Sequence, residues 1–212
     1  IRLGLVGSEM CIRDRNMHPE LLSLSLFMLG TSCSPGPNNI VASYSGFNFG
    51  VVKTFPHMLG VIFGFTAMVC VLNFGLINVF KIYPLLQEIL KVSGSLFLVY
   101  LAYKIAFSKN QTENKKENPV KFFDTFFFQF LNPKGVIVGI IIVSTYVESG
   151  NNFINYSFWV ILVSFTCALI SITFWTFVGK FFRRFATNEK FIKIFNYAMA
   201  SLLLACIGTF YL

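Results

Sequence analysis

Long stretches without a charged residue constrain this chain more than any other feature. Residues 58–80 form an uncharged run of 23 residues, and residues 153–179 form another of 27. A transmembrane helix needs about 20 consecutive apolar residues. Because only 12% of the 212 residues are charged and 55% are hydrophobic, too little polar surface remains to cover the chain in water. The sequence therefore predicts a polytopic membrane protein and argues against a soluble enzyme or regulator.

The apolar runs set the number of predicted membrane spans. In chain order they cover residues 21–45, 58–80, 85–107, 122–147, 153–179 and 194–212. We therefore predict an all-α fold with six transmembrane helices, which leaves no room for a second domain of useful size. The third run is the weakest because it contains Glu88, Lys91 and Lys104. Glu88 and Lys91 are three residues apart and can pair on one helix face.

The basic residues predict the orientation of the spans. The net charge is +8, and the cations lie in the gaps between apolar runs, which favours lipid headgroups over nucleic acid as their partners. Cytoplasmic loops of membrane proteins are enriched in Lys and Arg. The first, third and fifth gaps are therefore predicted to be cytoplasmic and both termini periplasmic. These gaps hold Lys53, Lys104, Lys109, Lys115, Lys116, Lys121, Lys180, Arg183, Arg184, Lys190 and Lys193, whereas the other side holds Lys81 and Lys91.

The polar segment between runs three and four divides the chain. We predict a first three-helix repeat at residues 17–107, a cytoplasmic linker at 108–121 and a second three-helix repeat at 122–212. Because three spans is an odd number, the second repeat must enter the bilayer inverted relative to the first. Residues 1–16 contain a segment, Val6 to Arg15, that resembles a translated sequencing-adaptor scar. We interpret residues 1–16 as a non-native appendage and Met17 as the natural start.

Two proline-containing motifs interrupt runs at corresponding places in the two halves. Discontinuous helices at equivalent positions are typical of inverted-repeat transporters, whose substrate site lies between the breaks. The alternative is two independent proline kinks, which membrane helices tolerate. The first break comprises Ser34, Pro35, Gly36, Pro37, Asn38 and Asn39, and the second comprises Asn132, Pro133 and Lys134.

The residue types at the breaks predict a site for an anionic group. Pro37 and Pro133 suit the first position of a new half-helix, and Asn132 is a favoured N-cap type. Each half-helix N-terminus would present unpaired N–H groups and about half a positive charge, which suits a carboxylate. We also expect Pro35 and Pro37, which lack backbone N–H groups, to leave carbonyl groups open at the first break.

Lys134 is the strongest single candidate, because a cation within the membrane is costly and usually functional. A structural pair with Asp124 is the alternative, although ten residues of helix separate the two by about 15 Å. Asp124 and Lys134 are also candidates for ion coupling. Asn38, Asn39 and Gln129 can both donate and accept hydrogen bonds, as a zwitterionic amino acid requires. Asn38 or Asn39 could equally cap the backbone.

Other residue patterns favour structure over chemistry. Cys33, Cys70, Cys167 and Cys206 lie singly inside apolar runs, and His18 and His57 are the only histidines. The chain therefore lacks the groups for a thiol relay, a haem carrier or a zinc protease, and we predict no enzymatic activity, cofactor or metal. Three Gly-x-x-x-Gly patterns predict close helix packing. They begin at Gly46, Gly60 and Gly135 and end at Gly50, Gly64 and Gly139.

The motifs together resemble the LysE/RhtB superfamily of amino-acid exporters, over residues 17–212. The likeness is carried by the Ser34–Asn39 motif, then Gly50, Lys53, Gly60 and Gly64, and finally Asn132-Pro133-Lys134. Residues 128–132, 144–147 and 181–184 are most similar to the cysteine/O-acetylserine exporter branch. Family members commonly have Thr at the position of Ser34, and Asp124 departs from their pattern.

The resemblance implies export of small amino acids or their derivatives from the bacterial cytoplasm across the inner membrane, driven by an ion gradient. The expected partners are a small amino-acid substrate and the lipid bilayer, with no nucleic acid. A channel or a scaffold is the competing hypothesis. The transported compound, the coupling ion and any homo-oligomer are left open by the sequence.

Overall fold

The computed structural model describes residues 20–76, 78, 82–107, 119–148, 150–186, 188–208 and 211. Two predictions fall outside the described residues: the interpretation of residues 1–16 as a non-native appendage, and residues 108–118 of the predicted linker. Within the described ranges all regular structure is helical, which confirms the all-α part of the prediction there. The helices are α1 Leu21–Cys33, α2 Pro37–Val71, α3 Pro84–Ala106, α4 Phe122–Leu131, α5 Pro133–Tyr146, α6 Phe153–Arg183 and α7 Glu189–Gly208, with a π-helical turn Leu72–Leu76 extending α2.

The helix starts follow from local chemistry. Pro37 and Pro133 occupy the first turns of α2 and α5, where a missing N–H is not needed. At α7, the Asn188 Oδ1 accepts a hydrogen bond from the Phe191 N–H at 2.8 Å, a side-chain cap that satisfies an otherwise unpaired donor. The predicted sixth run began at residue 194, five residues too late, because a charged first turn containing Glu189 is still helical.

Gly50 reverses the direction of α2. Its backbone has φ 77° and ψ 171°, a left-handed φ that glycine adopts without a Cβ penalty. Asn38 and Phe65 line the same cavity, yet 27 residues of straight helix would separate them by about 40 Å. The helix therefore consists of two arms, 37–49 and 51–71, that fold back on each other. The prediction that Gly50 serves helix packing is wrong, because nothing lies within 4 Å of a Cβ placed there.

Several helices of the described chain are long and apolar enough to cross a membrane. Four segments qualify, and α4 with α5, bent by 63° at Asn132, makes a fifth if the pair counts as one span. Each of the seven described helices also exposes large apolar side chains, for example Leu22, Phe127 and Ile141, as lipid-facing helices do. The four single segments are Pro37–Leu76, Glu88–Ala106, Phe153–Arg183 and Glu189–Gly208.

Glycines allow a very close contact between the first arm of α2 and α6. A Cβ at Gly46 would overlap the backbone of Thr176, and one at Gly179 would overlap the backbone of Ser43. Ser43 also donates a hydrogen bond from its hydroxyl to the Trp175 carbonyl at 2.9 Å. The two backbones therefore touch directly, as small residues at membrane helix crossings allow.

The second arm of α2 packs on α4 in the same manner. A Cβ at Gly60 would lie 2.6 Å from the Phe122 carbonyl oxygen, and one at Gly64 would lie 2.7 Å from that of Phe126. The packing role predicted for these two glycines is confirmed. In the third pattern the packing role is confirmed for Gly139, where a Cβ would lie 2.6 Å from the Leu72 side chain. It is not confirmed for Gly135, where a Cβ would have only ordinary contacts, at 3.6 Å with Asn132 and 3.7 Å with Met68.

Candidate functional site

The two helix breaks meet at one cavity. Its space, counted together with its open side, is about 520 Å³. The breaks are almost one hundred residues apart in sequence, so only the tertiary fold brings them together. The cavity is lined from the first break by Gly36, Pro37, Asn38 and Asn39 and from the second by Asn132, Lys134 and Gly135.

Lys134 bridges the two breaks. Its ammonium donates hydrogen bonds to the Ser34 hydroxyl at 2.7 Å, the Ser34 carbonyl at 3.3 Å and the Pro35 carbonyl at 3.3 Å. An ammonium has three hydrogens, so these three acceptors use its full donor capacity. The pair with Asp124 considered from the sequence is not formed, because the single ion pair within the described residues joins Lys91 to Glu88 at 3.8 Å. Asp124 is exposed on α4 and does not line the cavity.

The carbonyl groups at the end of α1 have hydrogen-bond partners. The Asn39 amide donates to the carbonyl oxygens of Ser32 at 2.7 Å and Ser34 at 3.0 Å. From α6, the Ser171 hydroxyl donates to Ser32 at 2.6 Å and the Trp175 indole donates to Cys33 at 3.1 Å. The expectation of open carbonyls at this break is therefore wrong, because side chains from other elements satisfy them. For Asn39 the structure supports the backbone-capping alternative.

Asn38 is held by a reciprocal amide pair with Gln129 of α4. The Asn38 Nδ2 donates to the Gln129 Oε1 at 2.8 Å, and the Gln129 Nε2 donates to the Asn38 Oδ1 at 3.2 Å. The Gln129 Nε2 also donates to the Thr125 carbonyl at 2.9 Å. Gln129 is fully buried and does not line the cavity. It therefore positions Asn38, which does.

Asn132 presents an unsatisfied polar atom at the cavity. Its backbone occupies the N-cap position of α5 with φ −82° and ψ 101°, but its side chain makes no capping bond. The N-cap position predicted for Asn132 is therefore confirmed, although its side chain does not cap the helix. The residue is 3% exposed, and its Oδ1 is buried without a hydrogen-bond partner in the described structure. Because a buried polar atom left unpaired is costly, it indicates a place where a ligand donor or water binds.

Sequence reasoning missed about half of the cavity lining. No local signal distinguishes these residues, because they are ordinary members of long helices and their selection depends on which helix faces cross. They are Thr31, Ser32, Val61, Phe65, Gly135, Val138, Ala168, Ser171 and Ile172. Of the residues predicted, Ser34, Pro35 and Pro133 join Gln129 outside the lining. Ser34 and Pro35 nevertheless contact the cavity residue Lys134 directly.

The chemistry of the cavity is that of amides, hydroxyls and one ammonium. In the part of the chain that the structure describes, no three His, Cys, Asp or Glu side chains are grouped as metal ligands. The four cysteines placed there are free thiols. The arrangement can therefore hold a polar or charged small molecule through hydrogen bonds, with Lys134 as its charged group.

A family comparison matches the region containing both breaks. The model for the LysE type translocator covers residues 29–212. This chain belongs to the LysE type translocator family. The matched region contains all seven cavity residues at or next to the two breaks. The part of the cavity that the breaks form therefore lies within the region that defines the family.

Curated relatives of this translocator cover nearly the whole chain. Cysteine/O-acetylserine efflux proteins of Salmonella choleraesuis and Salmonella typhimurium are each 32% identical over 195 residues, spanning 90% of this chain and 97% of the relative. A protein of the same name from Escherichia coli is 30% identical over the same share of both chains. These relatives confirm the branch indicated by the sequence motifs. No solved structure matches the chain.

Proposed function

We propose that this LysE type translocator exports small neutral amino acids, with cysteine and O-acetylserine as the first candidates, from the bacterial cytoplasm across the inner membrane. The observation that carries the proposal is the single cavity at which both helix breaks meet, with the ammonium of Lys134 between them. The names of these relatives supply the candidate substrates.

The cavity suits a zwitterion. The carboxylate would bind the first-turn N–H groups of α2 and α5 and the Lys134 ammonium, since helix N-termini and cations both favour anions. In the structure Lys134 donates to the Ser34 and Pro35 oxygens, which are acceptors that a substrate α-ammonium could use. As Lys134 turns to the carboxylate, the substrate ammonium replaces it on these oxygens. The Asn132 Oδ1 offers a further acceptor.

The lining favours a neutral substrate over a basic one. No Asp or Glu is among the described residues of the cavity, and the wall away from the breaks is apolar, with Val61, Phe65, Val138, Ala168 and Ile172. A lysine or arginine side chain would place a cation there without an anionic partner, which is costly in a desolvated site. A short side chain such as that of cysteine needs no such partner.

The proposal includes six spans in two inverted repeats, with both termini periplasmic. Helix α1 with the first arm of α2 would form the first span, and α4 with α5 would form the fourth, each broken in its middle. The second arm of α2, α3, α6 and α7 would be the others. Rocking of one repeat against the other would expose the cavity to each side in turn. Lys134 is retained as a coupling candidate within the cavity, whereas Asp124 lies outside its lining.

The experiment is counterflow of labelled cysteine, kept reduced, in proteoliposomes containing the purified protein. Saturable counterflow that unlabelled O-acetylserine inhibits is the expected result. The variant Asn38→Ala, which loses the amide pair to Gln129, should lower counterflow by at least tenfold, whereas Lys121→Ala, an exposed residue, should not. Flux that rises linearly with substrate and shows no counterflow would indicate a channel instead.

A further inference from the structure

His57 is a buried imidazole that the proposed substrate site does not use. It lies on the second arm of α2 and is 2% exposed. Its Nδ1 is 2.9 Å from the Thr125 hydroxyl of α4, while its Nε2 is buried without a hydrogen-bond partner among the described residues. The ring is therefore half-satisfied, an unusual state for a buried polar group.

The neighbouring bonds favour one tautomer of the ring. A threonine hydroxyl has one hydrogen, and the Thr125 hydroxyl lies within donating distance of the Lys121 carbonyl, at 3.1 Å. With its hydrogen on that carbonyl, the Thr125 oxygen accepts from His57, which favours the hydrogen on Nδ1. The neutral ring consequently presents its basic lone pair at Nε2, the nitrogen without a partner.

The ring is connected to the cavity through α4. Thr125, which accepts from His57, lies one helical turn before Gln129, and the Gln129 side chain donates to the Thr125 carbonyl at 2.9 Å. Gln129 in turn holds Asn38 at the cavity. The contact between the second arm of α2 and α4 is also tight, because Gly60, three residues after His57, leaves no room for a methyl group. Because this contact is tight, protonation of His57 would change how the second arm of α2 packs on α4.

The charged groups on the surrounding elements do not neutralise His57. They are Lys53 on the same arm, Lys121 and Asp124 on α4, and Lys180 and Arg183 on α6, and all five side chains are exposed. None of them forms an ion pair with the ring in the described structure. Lys134, in the cavity beyond the Asn38–Gln129 pair, is a further cation. A proton on His57 would thus be a second positive charge without a counter-ion.

We propose that His57 is the proton-binding site that couples transport to the proton gradient, by binding a proton at Nε2 in one conformation and losing it in the other. The inference rests on the proposed function. The described conformation disfavours the protonated ring, since it would bury a cation without a counter-ion. Protonation therefore favours the alternative packing of α2 on α4, in which the Nε2 reaches water, and the Thr125–Gln129–Asn38 chain transmits the shift to the cavity.

The test compares two modes of transport in the same proteoliposomes. Counterflow at equal pH measures substrate exchange, and uptake of labelled cysteine into vesicles with an acidic interior measures coupling to proton exit. In His57→Gln, gradient-driven uptake should fall at least tenfold while counterflow stays within threefold, because glutamine can donate to Thr125 but cannot bind a proton. Ser164→Ala, a buried hydroxyl bonded within α6, should keep both.

Full gradient-driven uptake by His57→Gln would overturn the assignment, and so would a wild-type protein whose counterflow is intact but whose uptake ignores the gradient. Absence of counterflow from the wild type would instead refute the proposed function. If His57→Gln loses both counterflow and gradient-driven uptake, titration of the His57 ring in a protein that retains it decides the question. In His18→Gln, His57 is the only histidine, and isotope-labelled histidine NMR should show its ionisation shifting when cysteine is added. A ring that stays neutral over about pH 5 to 8, the usual imidazole range, with and without cysteine would overturn the assignment.

Discussion

The two helix breaks both contain proline but differ in their bonding. At the first break the carbonyl groups of Ser32, Cys33 and Ser34 accept hydrogen bonds from Asn39, Ser171, Trp175 and Lys134. At the second break a single residue, Asn132, separates α4 from α5, and its side-chain oxygen has no partner in the described structure. The first break is thus stabilised by bonds from other helices, whereas the second supplies one unsatisfied polar atom, the Asn132 Oδ1.

The two motifs share proline, but from this difference in bonding we expect separate roles: the first break contributes to stability and the second to substrate binding. Replacing a residue that satisfies the first break should reduce stability, because it leaves buried carbonyls unpaired. Replacing a residue at the second break should reduce substrate binding with little loss of stability. Lys134 belongs to both, since it starts at the second break and bonds to the first.

The largest effect is expected for Lys134→Ala. The substitution removes the only charged side chain among the described residues of the cavity, and we expect counterflow to fall by about one hundredfold, or about 2.7 kcal/mol. Vesicle counterflow with matched protein amounts measures it, with Lys91→Ala as the control cation. Wild-type counterflow in Lys134→Ala would remove this residue from the site.

Asn39→Ala should affect stability next most strongly. It deletes the donor to the Ser32 and Ser34 carbonyls and an acceptor for the Ser171 hydroxyl, and we expect a loss of about 1–3 kcal/mol. Thermal unfolding of the detergent-solubilised protein measures the loss. An unchanged unfolding midpoint would show that the first break does not depend on this residue.

Asn132→Ala should have the converse effect. No hydrogen bond of its Oδ1 within the described protein is lost, so the unfolding midpoint should stay near that of the wild type. The half-saturation concentration for cysteine should rise by about tenfold, the equivalent of about 1.4 kcal/mol. If instead stability falls and affinity is kept, the contrast between the breaks is reversed.

Trp175→Phe is a smaller perturbation of the first break. Phenylalanine keeps an aromatic ring but loses the indole N–H that bonds to the Cys33 carbonyl at 3.1 Å, and we expect about 1 kcal/mol of destabilisation. Counterflow should remain at the wild-type level when measured well below the unfolding temperature. A transport defect without destabilisation would contradict a purely structural role.

The smallest effect separates two glycines, one at each break. A Cβ at Gly36 would lie 3.0 Å from the Lys134 Nζ, whereas one at Gly135 would have only ordinary contacts of 3.6 Å or more. Gly36→Ala should therefore displace the ammonium and lower counterflow by about threefold, or about 0.6 kcal/mol, while Gly135→Ala should not. Equal counterflow by the two variants would show that the ammonium position is not critical.

Much of the architecture could be predicted because it depends on local chemistry. Uncharged runs predicted membrane helices, and proline at positions 37 and 133 predicted the two new helix starts, since a missing N–H acts within one turn. Apolar runs do not mark helix ends accurately, as the late start predicted for α7 shows. Its first turn contains the charged residue Glu189, which an apolar run leaves out. The sequence predicted a packing role for Gly50, whereas its actual role as a reversal depends on its φ, which no local pattern gave.

The sequence by itself determined that the helices of this protein are surrounded by lipid. It also determined where the helices break and that a cation lies at one break. Only the tertiary structure decided which polar groups pair. The bonds of Asn38 with Gln129, Lys134 with Ser34 and Ser171 with Ser32 join residues 91, 100 and 139 positions apart. Helix propensity and proline geometry act over a few residues, whereas these partners are selected by how whole helices cross at their glycine contacts.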